Sequence, residues 1–278
     1  MSTVEEDDEQ DLTRKQRREQ ARSERKALED AAAANQQRRK RLIQLGSVAG
    51  VVVVIIVVIV AATSGGGGKS GLEKTPTGSG KTPGVVTKVT NEIGGIPQKG
   101  NVLGSAKAPV TLVYFGDLEC PICKDFTLGA LPTLIQKYVR TGKLRIEYRN
   151  LETATREPET FKTQQIAALA AGKQNKGWDY IELFYNQQGE EGSEYVNEQY
   201  LRTLAQQTPG LNLTAWTAAR NDPEFTNTIT SDAQAANNAG FTGTPSFQIG
   251  KTGGPVQKLE YSSLTDPSSF ESAINKLA

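Results

Sequence analysis

The two cysteines of this chain, Cys120 and Cys123, stand three positions apart in the segment Cys120-Pro121-Ile122-Cys123. They follow an apolar, β-branched run at residues 110–115, which is typical of a strand buried on both faces. A helical pattern begins at the cysteines, and the free backbone N–H groups of a helix N-terminus lower the pKa of the first sulfur in such a pair. The spacing therefore favours two thiols that form and break a disulfide reversibly.

A structural disulfide and a metal site are the other uses of two cysteines. A disulfide that closes so short a loop removes little entropy from the unfolded chain, so it would stabilise the fold only slightly. The chain has no histidine and one methionine, and two thiolates alone do not complete a zinc site. We therefore expect no metal and no cofactor. The formal net charge of +1 gives no support to nucleic-acid binding.

The N-terminal part of the chain has the pattern of a membrane anchor. Residues 1–41 are highly charged and almost free of large apolar side chains, so we expect a disordered cytoplasmic tail. Residues 42–63 contain an apolar run at 45–62, which measures about 27 Å as a helix, close to the thickness of the hydrocarbon core of a bilayer. Basic residues at 38–41 precede this run, and the positive-inside rule then predicts that the remainder of the chain is exported.

A cleaved signal peptide is the alternative interpretation of this apolar run. A signal peptide has a short charged segment before its apolar core, whereas roughly forty residues precede the run here, and no small-x-small cleavage site follows it. We therefore predict an uncleaved signal anchor and a single-pass protein of the cell membrane, whose C-terminal domain is extracytoplasmic. Residues 64–100 are rich in Gly, Ser, Thr, Pro and Lys, which predicts a flexible linker.

Residues 101–278 have the pattern of a globular α/β domain. Strands are predicted at 110–115, 144–149, 246–249 and 256–261. The first two flank a helix that begins at Cys120 and that we expect Pro132 to kink, and the length of this connection indicates a parallel pair. Residues 157–239 show helical periodicity without a strand pattern, and an amphipathic helix ends the chain. The predicted order is β-α-β, a helical block, then β-β-α.

This order, with C-x-x-C at the first turn from strand to helix, resembles that of membrane-anchored DsbA-like thiol–disulfide oxidoreductases. The resemblance is carried by residues 113–123 and by the segment Gly243-Thr244-Pro245-Ser246-Phe247. It covers residues 101–278 and implies a thioredoxin-like α/β fold with a helical domain inserted at about 157–239. One transmembrane helix and the disordered N-terminal tail would precede this domain.

The resemblance also implies roles for individual residues. Cys120 would be the exposed sulfur that attacks, and Cys123 the sulfur that resolves the mixed disulfide. The Thr244–Pro245 bond would be cis and face the cysteines, so that the Thr244 backbone pairs with an extended substrate. Without the resemblance, Pro245 is interpreted as an ordinary proline that begins a strand. Pro121 would occupy the first helical position, where an N–H would have no partner in any case.

The sequence departs from this family at two positions that tune the site. Strongly oxidising relatives often carry His where this chain has Ile122, and Ile122 cannot stabilise a Cys120 thiolate by charge. Tyr114 stands where the fold usually has a buried Asp or Glu that moves protons for the resolving thiol, and tyrosine is a poor base near neutral pH. Either Asp117 or Glu119 replaces that acid through water, or Glu119 is a loop carboxylate that slightly raises the Cys120 pKa.

The implied function is that of an enzyme that exchanges thiols and disulfides in exported proteins. Its partners would be cysteine-containing exported proteins, a membrane redox partner that re-oxidises or reduces it, and the membrane through one helix, with no nucleic acid. Ile122 leaves open a thioredoxin-like protein that works in the reducing direction. A tethered peptide-binding or chaperone-like domain with a redox-inert disulfide is the alternative from another functional class.

Overall fold

A six-stranded mixed sheet lies at the centre of residues 84–278, the part of the chain that the computed structural model describes. The strand order across the sheet is β1-β2-β4-β3-β5-β6. The strands are β1 (Gln98–Lys99), β2 (Val102–Leu103), β3 (Val110–Gly116), β4 (Leu144–Asn150), β5 (Ser246–Lys251) and β6 (Val256–Lys258). β3 and β4 are parallel, and every other neighbouring pair is antiparallel. The predicted parallel β-α-β unit is therefore confirmed.

The position of β3 in the middle of the sheet explains its continuous apolar sequence. All seven of its residues are buried, whereas β4 alternates between buried and half-buried residues. Leu112 and Tyr114 belong to the large hydrophobic core, and Val113 and Phe115 belong to a second, smaller cluster. Successive side chains of a strand point to opposite faces of its sheet, so β3 is covered on both faces.

Nine helices accompany the sheet in the described residues. They are α1 (Val85–Ile93), α2 (Pro121–Leu128), α3 (Ala130–Leu134), α4 (Pro158–Gly172), α5 (Gly177–Asn186), α6 (Glu198–Gln207), α7 (Leu213–Ala219), α8 (Glu224–Asn238) and α9 (Ser268–Leu277). A π-helical segment at Ile135–Val139 continues directly from α3. Helices α4 to α8 lie between β4 and β5 without an intervening strand, so the thioredoxin-like order carries a helical insertion, as the sequence predicts.

The interruption of the first helix differs from the prediction. The break lies at Gly129, between α2 and α3, where the backbone has φ −103° and ψ −87°. A Cβ atom at this position would lie 2.5 Å from the Asp125 carbonyl oxygen and 2.8 Å from Thr265 Cα, so only glycine fits. Pro132 does not cause the kink. It lies in the first turn of α3, where a missing N–H breaks no hydrogen bond within the helix.

The predicted flexible linker at 64–100 is wrong over its last part. Residues 85–93 form α1, in which Val89 and Ile93 are fully buried, and Ile96 is buried just beyond it. The spacing of these apolar residues is helical, but the surrounding Gly, Thr and Pro obscure it in the sequence. The core of the domain therefore begins before residue 101.

The remaining N-terminal predictions lie outside the described residues. These are the tail at 1–41, the membrane anchor at 42–63 and the linker at 64–83. Within residues 84–278, no helix combines the length and the apolar character that crossing a bilayer requires.

The burial of α1 can be tested by Ile93→Ala. Removing a fully buried isoleucine side chain leaves a cavity, so we expect the free energy of unfolding to fall by about 2–5 kcal/mol. Urea unfolding of the purified protein measures this change, with Thr87→Ala on the exposed side of the same helix as the matched control. Equal, small effects of the two substitutions would show that α1 does not belong to the core.

Candidate active site

Cys120 lies where the chain passes from β3 into α2. Its backbone is extended, with φ −70° and ψ 117°, and it caps the N-terminus of α2. The Cys120 Sγ accepts a hydrogen bond from the backbone N–H of Cys123 at 3.3 Å. Pro121 occupies the first helical position, as predicted. Both cysteines are free thiols and both are buried, so the expectation of an exposed Cys120 is wrong: only 4% of this residue is exposed. The helix N-terminus thus presents one sulfur to its own unpaired N–H groups.

The segment Thr244–Pro245 lies beside Cys120, and its peptide bond is cis, as predicted. The antiparallel register of β3 and β5 pairs Phe115 with Ser246, so the start of β5 lies next to the end of β3. The Cys120 Sγ–H donates to the Thr244 carbonyl oxygen at 3.4 Å. The sheet therefore brings together two motifs that stand more than a hundred residues apart in the sequence.

The two sulfurs have opposite electrostatic environments. The pKa of Cys120 is lowered to about 7, mainly by a hydrogen bond with the Cys123 side chain. Burial opposes this shift, while hydrogen bonds from the Thr244 side chain and from the backbone of Cys123 and Ile122 add to it. Burial raises the pKa of Cys123 well above the ordinary value of a thiol. Near pH 7 about half of Cys120 is therefore thiolate, whereas Cys123 keeps its proton.

Ile122 is the most exposed large apolar side chain in the described residues, at 47% exposure. Only its backbone N–H, and no side-chain charge, contributes to the Cys120 pKa. Reactive thiols in such positions have pKa values between roughly 3.5 and 7.5, and about 7 lies at the weakly acidic end of that range. This environment agrees with the expectation that the Cys120 thiolate is only moderately stabilised.

Tyr114 belongs to a cluster of three buried tyrosines next to Cys123. The Tyr114 hydroxyl lies 3.4 Å from the Cys123 carbonyl oxygen and 3.2 Å from the Tyr185 hydroxyl. The Tyr185 hydroxyl is 3.4 Å from that of Tyr148 and donates to the Asp117 carbonyl oxygen at 3.0 Å. Burial raises the pKa of all three phenols, so the cluster stays protonated and supplies no base at neutral pH.

Sequence reasoning identified only one member of this tyrosine cluster. Tyr148 had a detectable signal, because it holds the same place in its predicted strand as Tyr114, and parallel pairing puts the two side by side. Tyr185 had none, since aromatic residues of the helical block are equally typical of a helical core. Gly116 leaves room for the cluster, because a Cβ atom there would lie 3.0 Å from the hydroxyls of Tyr148 and Tyr185.

The two acidic residues before Cys120 are both buried. Burial raises the pKa of Glu119, but Glu119 is not among the causes that shift the pKa of Cys120. The structure therefore gives no support to the expectation that Glu119 raises the Cys120 pKa. Asp117 is fully buried, and its carboxylate accepts hydrogen bonds from the backbone N–H groups of Thr153, Ala154 and Thr155.

Gln188, just beyond the end of α5, holds the segment before α2. Its side-chain Nε2 donates to the carbonyl oxygens of Leu118 at 2.8 Å and of Cys120 at 3.1 Å. Nothing in the sequence marks Gln188 as a site residue, because a single glutamine in a polar loop has no pattern. Its contacts tie the helical insertion to the cysteine segment.

Two cavities adjoin the cysteine segment. The first, of about 470 Å³, is lined by residues 240–247 and 258–261, and therefore runs along Thr244 and Pro245. The second, of about 380 Å³, is lined by Glu119, by residues from the loop after β4 and by the segment before α6. Within residues 84–278, no three His, Cys, Asp or Glu side chains are grouped so as to hold a metal ion.

A protein-family model described as thioredoxin matches residues 97–272, which is more than half of the chain. The chain belongs to the thioredoxin family. The probable disulfide bond formation protein D of Bacillus anthracis is 25% identical over 154 residues, which cover 53% of this thioredoxin-family chain and 68% of that protein. The predicted enzyme class, a protein disulfide oxidoreductase, agrees with this family and with the C-x-x-C dithiol.

Solved structures of two other proteins share the fold. The crystal structure of oxidised BdbD from Bacillus subtilis has a TM-score of 0.54 and 21% identity, and the match covers 65% of this chain and 96% of that one. The crystal structure of α-DsbA1 from Wolbachia pipientis has a TM-score of 0.54 and 21% identity, and covers 64% of this chain and 89% of the other. The predicted DsbA-like thioredoxin fold with its helical insertion is confirmed.

The contrast between the sulfurs predicts how each reacts with iodoacetamide. Only a thiolate is alkylated rapidly, so modification of Cys120 should be half-maximal near pH 7, while Cys123 stays unmodified up to pH 9. Mass spectrometry of the reduced protein across a pH series measures both sites. Cys123→Ala should move the Cys120 midpoint upward, because it removes the largest contribution that lowers the pKa. A Cys120 midpoint near 9 in the unchanged protein would contradict the assigned environment.

Proposed function

We propose that this thioredoxin-family protein is a membrane-tethered thiol–disulfide oxidoreductase that acts on cysteines of exported proteins. The observation that carries the proposal is the pairing of a partly ionised Cys120 with a buried, protonated Cys123 beside Thr244. Such a pair has one sulfur that leaves readily as a thiolate and a second that retains a proton. This asymmetry suits exchange through a mixed disulfide.

In the oxidising direction, the enzyme starts with a disulfide between Cys120 and Cys123. A substrate thiolate attacks Cys120 Sγ, a new S–S bond forms, and the electron pair of the broken bond passes to Cys123, which takes up a proton. A second substrate thiolate then attacks the substrate sulfur of the mixed disulfide and releases the Cys120 thiolate. Two electrons pass from the substrate to the enzyme, and a membrane redox partner would remove them.

Two considerations favour the oxidising direction. The curated relative in Bacillus anthracis is named for disulfide bond formation. An exported compartment also lets newly formed disulfides persist, whereas the cytosol keeps thiols reduced. Ile122 is the one observation that favours the reducing direction, since it adds no charge to stabilise the Cys120 thiolate.

The proposed location rests on residues before the described part of the chain. The apolar run at 45–62 would anchor the protein in the cell membrane as a single-pass helix, and the basic residues before it would keep the N-terminus in the cytoplasm. The domain would then work on the outer side, attached through the segment that ends before α1. The cavity along Thr244 and Pro245 would receive an extended stretch of the substrate around its cysteine.

Serine substitutions separate exchange chemistry from binding alone. We expect Cys120→Ser to abolish oxidation of a reduced model substrate, such as ribonuclease A in glutathione buffer, because the attacked sulfur is lost. Cys123→Ser cannot form the internal disulfide and should not oxidise a reduced substrate either. Its Cys120 thiolate can still attack a disulfide of the oxidised substrate, and the resulting mixed disulfide should accumulate, because Cys123 is not there to displace the substrate. Non-reducing electrophoresis and activity recovery measure the two outcomes. If Cys120→Ser leaves all biological activity of the protein intact, the redox-inert binding domain is favoured instead.

The direction of electron flow follows from the reduction potential. We expect a potential between the roughly −120 mV and −270 mV extremes of the fold, because the Cys120 thiolate is only moderately stabilised. Ile122→His should make the potential less negative, since a protonated imidazole stabilises the thiolate and hence the reduced form. Equilibration with a glutathione series measures this, with Ile122→Val as the uncharged control. A potential near that of thioredoxin would assign the protein to the reducing direction.

A further inference from the structure

The cavity of about 380 Å³ beside the cysteine segment is bordered mainly by acidic side chains. Glu119 borders it from the segment before α2, Glu157 from the loop after β4, and Glu194 from the segment before α6. Arg156 is the one cationic residue of its lining. The larger cavity, beside the cis proline, is lined by one Lys and one Glu and has no such imbalance. We call the smaller one the acidic cavity.

Further carboxylates stand in the three segments that border the acidic cavity. These segments span residues 117–119, 151–157 and 189–196, and Arg156 is their only base. Their acids outside the lining are Asp117, Glu152, Glu190 and Glu191. The Arg156 guanidinium lies against the Gly192 backbone, where a Cβ atom would be 3.1 Å from Arg156 Cζ. One cation among so many carboxylates leaves the surroundings of the cavity negatively charged.

Glu119 brings a buried carboxylate to the edge of the acidic cavity. Only 6% of this residue is exposed. The hydroxyl of its neighbour Thr155 donates its single proton to Asp117 Oδ1 at 2.6 Å, so it has no proton left for Glu119. Within residues 84–278, the hydrogen bonds of the structure include Glu119 only through its backbone N–H. A buried carboxylate without a partner costs free energy, and a cation in the cavity would supply the missing partner.

The acidic cavity adjoins the place where a substrate cysteine would react. Glu119 directly precedes Cys120 in the chain. Ala154, another residue of the lining, directly follows Thr153, whose hydroxyl is hydrogen-bonded to that of Thr244. A substrate segment that pairs with the Thr244 backbone therefore has the cavity within reach of the side chains next to its cysteine. Lys and Arg suit this distance, because a long apolar stem carries their charge.

We propose that the acidic cavity is a subsite for a Lys or Arg side chain that neighbours the reacting cysteine of the substrate. The inference rests on the proposed function and names a substrate class for it, namely exported proteins whose cysteines have basic neighbours. The cation would pair with the Glu119 carboxylate. Glu157 and Glu194 are exposed at the rim, where charges mainly raise the rate of association.

Three activated peptides of equal length measure this preference on the reduced, full-length protein. Each peptide carries one cysteine as a mixed disulfide with thiopyridine, and this cysteine is flanked by Lys, by Gln or by Glu. The Cys120 thiolate attacks the peptide sulfur and forms a new S–S bond, while the bond to the thiopyridine sulfur breaks. Pyridine-2-thione leaves with the electron pair and takes up a proton, and its absorbance gives the rate. Division by the rate of the same peptide with β-mercaptoethanol corrects for intrinsic reactivity.

We expect the Lys peptide to react about fivefold faster than the Gln peptide, the size of one partly screened ion pair, and the Glu peptide to react more slowly than both. Added salt should reduce this ratio of rates, because ions screen the exposed charges. Each ratio compares peptides on one protein, so the thiolate fraction of Cys120 cancels.

Three substitutions test the acidic cavity itself. Glu119→Gln keeps the size of the side chain and removes its charge, so the Lys-to-Gln ratio should fall by about threefold. Glu194→Gln should lower the ratio by a smaller factor, and this exposed position keeps the proposal testable if Glu119→Gln fails to fold. Arg156→Gln should raise the ratio, since it removes the cation that competes with the substrate.

Asp179 offers a matched control for the loss of a buried carboxylate. It lies at the start of α5, accepts from Gln98 Nε2 at 2.8 Å, and borders neither cavity beside the cysteines. Asp179→Asn should lower the melting temperature and leave the ratio of rates unchanged.

Other outcomes would overturn the inference. Equal corrected rates for the three peptides, or a faster Glu peptide, would show that the cavity selects no cation. A preference for Lys that Glu119→Gln, Glu194→Gln and Arg156→Gln all leave unchanged would place its source outside the acidic cavity. If no peptide releases thione with the protein although each reacts with β-mercaptoethanol, the proposed function itself fails, and the subsite fails with it.

Discussion

The pairing of β3 with β5 is the constraint on which the candidate site depends. β3 ends at the segment that leads to Cys120, and β5 begins directly after the cis bond of Pro245. Their antiparallel register brings the beginning of β5 to the end of β3, and only then can Thr244 reach the sulfur. Residues 117–245, which include the helical insertion, lie between these two strands in the sequence. The two strands therefore have to pair across this whole interval before the site exists. Burial of β3 on both faces supplies the hydrophobic driving force for that closure.

In the assembled site, one helical turn separates two thiols whose pKa values are shifted in opposite directions. Hydrogen bonds at the free end of α2 and with Thr244 lower the pKa of Cys120, and together they outweigh the opposing effect of burial. Cys123 lies one turn deeper, against Tyr114 and its hydrogen-bonded partners, where burial dominates. The tyrosine cluster fills the place where an acid was expected with hydroxyls that stay protonated. It supports Cys123 by packing and hydrogen bonding, and it does not take up protons.

The helical insertion and α1 are parts of the same folded domain as the cysteine segment. Gln188 and Tyr185 extend from the insertion to the carbonyl oxygens of residues 117–120. On the other side of the insertion, Lys88 of α1 donates to Asn186 at the end of α5. The folded domain therefore includes α1, and any tether to a membrane would be shorter than the sequence predicts. A shorter tether restricts the distance from the bilayer at which the dithiol can work.

The cis Thr244–Pro245 bond was expected only from the resemblance to DsbA-like oxidoreductases. The sequence by itself determined the order of the elements around the cysteines and the buried strand before them. These follow from local patterns: β3 is apolar throughout because both of its faces are covered, and C-P-I-C begins a helix because proline suits a first helical turn. The prediction of a flexible linker was wrong at α1. The few apolar residues of this helix lie among Gly, Thr and Pro, so their helical spacing is a weak signal in the sequence. Only the tertiary structure decided the partners of Asp117, the joining of Tyr114, Tyr148 and Tyr185, and the position of Gln188. Apart from the contact between Asp117 and Glu119, these contacts join residues at least thirty positions apart. Hydrogen bonding over such separations depends on how whole elements pack and leaves no periodic pattern in the sequence.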